Sequence, residues 1–182
     1  MAAEYYHASR KPLEIGTALE CRFRSQEFDY LYLAVYSALK DGLATLKALM
    51  LDDYLRRRGK GSTLAMPLRE IIFEGEREAN FPHLPSRWGS IFLCKTLHDI
   101  QRFASLVEDR PHIYACTLDG EELFSGDISH LTSRQPLAPI DKQLDELRNL
   151  AKRYWNGDLD DNPLIEVLAR PGTVTIAAPA SV

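Results

Sequence analysis

Pro163-Leu164-Ile165-Glu166-Val167-Leu168-Ala169, followed by Arg170-Pro171-Gly172 and Thr173-Val174-Thr175-Ile176-Ala177-Ala178, is the stretch whose reading decides the fold. Two short runs rich in β-branched residues flank a Pro-Gly turn, which predicts two strands. Strand alternation puts Leu164, Glu166 and Leu168 on one face and Ile165, Val167 and Ala169 on the other. Glu166 is therefore a carboxylate in an almost wholly apolar strand. Burying an unpaired charge costs several kcal/mol at least, so Glu166 is ion-paired, faces water at an edge, or lines a cleft.

Upstream, Glu4 to Ala8 reads as a strand through its paired tyrosines, ending at Ser9-Arg10-Lys11-Pro12. Leu31, Val35, Leu39, Leu43, Leu46, Met50 and Tyr54 recur at helical spacing and predict one long helix over Tyr30 to Arg58, with Gly42 as a point of kinking. A second helix is predicted from Pro67 to about Ala79. Together they form a helical block over about 28–80. Ser90 to Cys94 reads as a short buried strand, followed by a helix on Leu97, Ile100, Phe103 and Val107. His112 to Leu118 and Glu122 to Asp127, separated by Asp119-Gly120, predict a hairpin. Ile140, Leu144, Leu147, Ala151 and Tyr154 mark a last helix, with Tyr154-Trp155-Asn156-Gly157 as a packing lid. Short turns between strands imply antiparallel pairing and an α+β class.

The chain has 182 residues, 45% of them hydrophobic and 26% charged, which fits one globular domain rather than a disordered or fibrous chain. Its formal charge is −4, so any basic binding surface is local. Arg56 to Lys60 is such a patch, read either as a solvated helix end or as a contact for nucleic acid. Cys21, Cys94 and Cys116, an odd number without C-x-x-C spacing, read as reduced packing residues. No basic leader precedes an apolar stretch and no run nears the roughly 18 apolar residues of a membrane span, so the expected location is the cytoplasm, without a membrane partner. His7, His83, His98, His112 and His130 lack the close spacings typical of zinc sites, and no metal is expected. In Ser86-Arg87-Trp88-Gly89-Ser90, an arginine suited to phosphate and an aromatic ring precede the buried strand.

Three elements in order resemble the ADP-ribosyltransferase fold: Tyr6-His7-Ala8-Ser9 on the first strand, Ser90-Ile91-Phe92-Leu93-Cys94 with Ile100 to Ala104 behind it, and Glu166 on a late strand. The resemblance is to a bacterial branch near the His-Tyr-Glu type, although no second-motif tyrosine is identifiable. It implies a split antiparallel sheet with the helical block between its first and second strands. It implies also an enzyme that cleaves NAD, as substrate, and transfers ADP-ribose to a protein or nucleic acid, acting as a toxin, effector or defence protein. Glu166 would be catalytic. His7, Ser9, Arg87, Ser90 and Phe92 would bind the dinucleotide, with Arg87 on the pyrophosphate and Ser90 or Phe92 beside the nicotinamide. Leu164 stands where arginine-modifying members carry Glu or Gln, so arginine is not the expected acceptor. Two other readings compete: a non-catalytic module that binds NAD, ADP-ribose or nucleic acid, and an interaction protein whose helix 30–58 docks an antitoxin or a second copy.

Overall fold

The computed structural model describes residues 4–20, 26–56, 64–105, 111–131 and 139–180. In chain order the elements are β1 (Glu4–Ser9), α1 (Gln26–Asp41), α2 (Leu43–Arg56), α3 (Ala65–Asn80), β2 (Ile91–Leu93), α4 (Leu97–Ser105), β3 (His112–Leu118), β4 (Phe124–Asp127), α5 (Ile140–Asn156), β5 (Ile165–Ala169) and β6 (Val174–Pro179). The class is α+β, and the helices α1 to α3 fall between β1 and β2 as the sequence predicts. Two compact units share the chain. One comprises residues 1–21, 82–130 and 153–182, the other residues 22–81 and 131–152.

The first unit holds two three-stranded antiparallel sheets, ordered β1-β3-β6 and β2-β5-β4. They meet at one isolated bridge, where Tyr6 and Cys94 exchange both backbone hydrogen bonds at 2.8 Å. Tyr5, Tyr114, Cys116, Val174 and Ile176 from one sheet pack against Ile91, Leu93, Val167 and Ala169 from the other. Ile165 apart, β5 is buried throughout, because it is the central strand of its sheet. Helix α4 starts at a threonine cap, in which Thr96 Oγ1 accepts the Asp99 N–H (3.0 Å) and donates to its carboxylate (2.8 Å). Its Ile100 packs with Cys94 and Ile113, against Tyr6 and Ala8 of β1.

Two expected pairings are replaced. β3 and β4 do not form a hairpin, because β3 already has β1 on one edge and β6 on the other. The Asp119-Gly120 turn, with Gly120 at φ 135°, instead carries the chain from one sheet to the other. The Pro-Gly turn does the same. Gly172 (φ 81°) connects β5 and β6, which lie in different sheets. Local turn chemistry is the same for a hairpin and for a corner between sheets, and only the edges left open by other strands distinguish them.

The second unit carries α1, α2, α3 and α5 up to Lys152. The long helix expected over 30–58 is two helices. Gly42 adopts φ 107°, a left-handed value that ends α1, and α2 restarts at Leu43. Val35 and Leu46 of the predicted stripe are fully buried, whereas its Leu43 and Tyr54, like Tyr30, Leu33, Leu51 and Leu55 beside it, are exposed. Buried Glu70 and Glu74 on α3 are offset by Arg69 and Arg77, at 2.9 and 2.7 Å. Of the basic patch, residues 57–60 lie outside the described residues, as does Cys21; Arg56 pairs with Asp52 at 2.8 Å. Among the described residues no helix is long and apolar enough to cross a membrane.

Candidate functional site

Glu166 sits mid-strand in β5, opposite Gly126 of β4, on the face turned away from the inter-sheet core that holds Val167 and Ala169. Phe92 of β2 and Phe124 of β4 both pair with Leu168 and so share that face. The last turn of α5 closes over it, with Tyr154 and Trp155 almost wholly buried. Their rings stand edge-on at 4.8 Å, and Phe124 lies 5.3 Å from Tyr154 and 5.2 Å from Trp155. Gly126 is required by this closure. A Cβ there would stand 2.6 Å from Phe124 Cε1 and 2.7 Å from Tyr154 Cε2.

Of the three possibilities open for Glu166, the structure shows the ion pair. Glu166 is 5% exposed and its Oε1 accepts hydrogen bonds from Arg87 Nη1 and, at 2.5 Å, from the Tyr154 hydroxyl. Tyr154 Oη in turn accepts from Arg87 Nη1 at 2.8 Å. The three groups form a closed triangle that neutralises the buried carboxylate. Arg87 opens a single 3-10 turn, Arg87–Gly89, ahead of β2. Ser86 Oγ accepts the Trp88 N–H at 3.2 Å and Ser90 Oγ donates to the Ser86 carbonyl at 2.8 Å, so the flanking serines hold the turn. The guanidinium lies over the Phe92 ring, 4.9 Å from its centre, and 5.2 Å from that of Tyr154.

His7 reaches the triangle at one remove. Its Nδ1 is 2.9 Å from the Phe92 carbonyl oxygen, an acceptor only, so Nδ1 carries the proton and Nε2 presents a lone pair. Burial pushes the imidazole below its ordinary pKa, partly offset by this bond, which keeps it neutral at pH 7. Ser9 lies apart, at the exposed end of β1, where its hydroxyl donates to the Lys11 carbonyl at 2.8 Å. Thus Glu166, Arg87, Phe92 and His7 are linked, Ser90 supports Arg87, and Ser9 belongs to a turn. Tyr154, read from sequence as part of a lid, is also a hydrogen-bonding member of the site. Its place on the buried stripe of α5 was the signal, since a buried phenol needs a partner.

The approach of β5 is held by further polar groups. Arg102 of α4 donates to the carbonyls of Pro163 (2.8 Å) and Asn162 (3.1 Å). Asp127 accepts the backbone N–H of Ser129 and Leu164 on Oδ1 and of Asp160 on Oδ2, each at 2.9 Å. Burial raises its carboxyl, but these donors outweigh it and hold the pKa below the ordinary value. Between the sheets, the Tyr5 hydroxyl donates to Glu122 Oε1 at 2.7 Å and Lys95 pairs with Oε2 at 2.9 Å. Both buried cysteines are inert, with burial pushing the thiols of Cys94 and Cys116 up to about 12.

Residues 5–178 match the family described as "Protein of unknown function (DUF2441)". No curated protein matches the chain.

Proposed function

The chain belongs to the DUF2441 family, and we propose that it is an ADP-ribosyltransferase-like enzyme that cleaves NAD and passes ADP-ribose to a macromolecular acceptor. The observation that carries this reading is the buried Arg87–Tyr154–Glu166 triangle on β5, joined to His7 of β1 through Phe92. Two small antiparallel sheets bridged at Tyr6 and Cys94, with a helical block after the first strand, support the split-sheet arrangement that the resemblance implies.

In this reading the pyrophosphate of NAD competes for Arg87, whose fork suits phosphate as well as carboxylate. Drawing the guanidinium toward the phosphates leaves Glu166 with Tyr154 alone. Its carboxylate then stabilises the positive charge that develops on the ribose as the bond to nicotinamide lengthens. Nicotinamide leaves with the bonding electron pair. The acceptor's nucleophile forms the new bond to the ribose carbon and gives up its proton to solvent water. His7 Nε2, fixed as an acceptor, receives a hydrogen bond from an adenosine ribose hydroxyl. Leu164 offers no group to activate an arginine, so the acceptor is another nucleophile.

The test is nicotinamide release from NAD by wild type and Glu166→Gln, with a cell lysate as acceptor source. Wild type releases nicotinamide, and the variant falls by about 10²–10³, the scale of a lost transition-state electrostatic contact. Binding of NAD or ADP-ribose without any release makes the protein a binding module instead. Absence of both overturns the reading, as would clean transfer to arginine for the choice of acceptor.

A further inference from the structure

We infer that Asp127, His130 and Asp160 form a binding site for one divalent first-row transition-metal ion, of the Zn²⁺, Co²⁺ or Mn²⁺ class. Asp127 ends β4, His130 lies in the 3-10 turn Ile128–Leu131, and Asp160 lies in the loop that leads into β5. One ligand atom from each falls within 4.8 Å of the others, a spread that small side-chain movements close onto bonds of about 2.0–2.2 Å.

The second and independent observation is the imidazole itself. His130 is 0% exposed. Its Nε2 lies 2.9 Å from the Asp158 carbonyl oxygen, which can only accept, so Nε2 carries the proton. Nδ1 is buried, has no hydrogen-bond partner and lies 3.7 Å from Asp160 Oδ2. A buried ring nitrogen left without a hydrogen bond beside a carboxylate is accounted for when a cation stands between them. The carbonyl behind Nε2 is the outer partner that metal-bound histidines usually have, and it sets the tautomer that exposes Nδ1.

Charge and access agree with this. Arg153, whose Nη2 holds Asp160 Oδ1 at 3.0 Å, also lies 3.9 Å from Asp158 Oδ2, so among the described groups here carboxylates outnumber the cation. Ser129 Oγ donates to Asp160 Oδ2 at 3.2 Å and orients it. The Asp160 side chain is 18% exposed and gives an entry path. A nitrogen with two carboxylates selects a transition ion over Ca²⁺ or Mg²⁺, which take oxygen ligands. The bound ion would tie the turn after β4 to the loop before β5, the strand that carries Glu166.

The experiment strips the full-length protein with a chelator and titrates it with Co²⁺ and Zn²⁺. We expect uptake of one equivalent, a rise in Tm, and visible Co²⁺ absorption. His98→Ala, at an exposed position on α4, keeps all three, while His130→Gln loses them. Equal uptake by His130→Gln would overturn the site, as would no uptake by wild type. If that variant does not fold, ¹⁵N-histidine spectra of the wild type decide. The expected result is a neutral imidazole protonated on Nε2 whose Nδ1 resonance moves on Zn²⁺ addition. Protonation of both nitrogens of His130 in the stripped protein at pH 7.5, or an unmoved Nδ1, refutes the inference.

Discussion

Replacing Gly126 by Ala tests whether the Tyr154 ring really seals the Glu166 site. The added methyl would lie 2.6 Å from Phe124 Cε1, 2.7 Å from Tyr154 Cε2 and 3.1 Å from Tyr154 Cζ. The Tyr154 ring is fully buried and packed with Trp155 against the half-buried Phe124 at the end of α5. Overpacking of this kind costs about 1–3 kcal/mol. If the ring relieves the clash by leaving, its hydroxyl also abandons Arg87 and Glu166, and hydrogen bonds to charged groups are worth roughly 1.5–3 kcal/mol. The expected loss for G126A is therefore about 3–5 kcal/mol, and for Y154F alone about 1.5–3 kcal/mol. In the double variant the hydroxyl has already left its place, so Y154F should add under about 0.5 kcal/mol to the loss caused by G126A. Guanidinium unfolding of the four proteins, followed by fluorescence of Trp155 and Trp88, measures all three differences. Additivity of the two substitutions within about 0.5 kcal/mol would refute the argument, because it would mean that Gly126 and the Tyr154 hydroxyl are energetically independent.

The Arg87–Glu166 pair yields a second expectation. R87M leaves a buried carboxylate without its cation and should cost about 3–5 kcal/mol, while the double variant R87M/E166L should recover most of that in the same unfolding assay. His7 supplies a pH dependence. Its pKa is lowered in the folded state, so between that value and the unfolded 6.5 the unfolded chain binds more protons. Stability should therefore rise with pH through this window and be lost as pH falls from about 6.5, and H7F should flatten the slope in unfolding curves taken from pH 5 to 8. Finally, mass spectrometry after alkylation at pH 8 should find Cys94 and Cys116 unmodified in the native protein and modified after denaturation, since thiols raised to about 12 carry almost no thiolate there.

Periodicity found nearly every element because the helices bury one face and the central strand β5 is apolar almost throughout. The pattern of α5 from Ile140 to Tyr154 and the apolar run of β5 could hardly be read otherwise. Strand partnership was not legible. Asp119-Gly120 and Pro171-Gly172 carry ordinary turn signals, yet both turns cross between sheets, and nothing local encodes which edge a strand will find. Gly42 was visible as an interruption, but the break it causes follows from a positive φ that sequence does not display. At the site, Glu166 stood out because a carboxylate in an apolar strand demands a partner. The partner itself, Arg87, lies 79 residues away and Tyr154 lies 12 away, so the triangle emerges only when β2, β5 and the end of α5 come together. The gathering of Asp127, His130 and Asp160 escaped for the same reason, its third member being supplied by the loop before β5 rather than by close spacing.

The interleaving of the two units has a consequence for how the protein is made. The chain passes between them at residues 21/22, 81/82, 130/131 and 152/153, so neither unit is a continuous stretch. β1 is synthesised first but its partner β3 follows about a hundred residues later, a wait of roughly 5–20 s at usual translation rates. The second sheet waits too, since β2 and β4 both pair with β5, which emerges after them, and the first sheet is complete only when β6 follows. Until then the nascent chain carries unpaired strand edges and the apolar faces of its helices, the kind of surface that chaperones hold. No ribosome-bound fragment ending before β5 can contain the Glu166 site, so any activity that depends on it begins only once β5 has emerged.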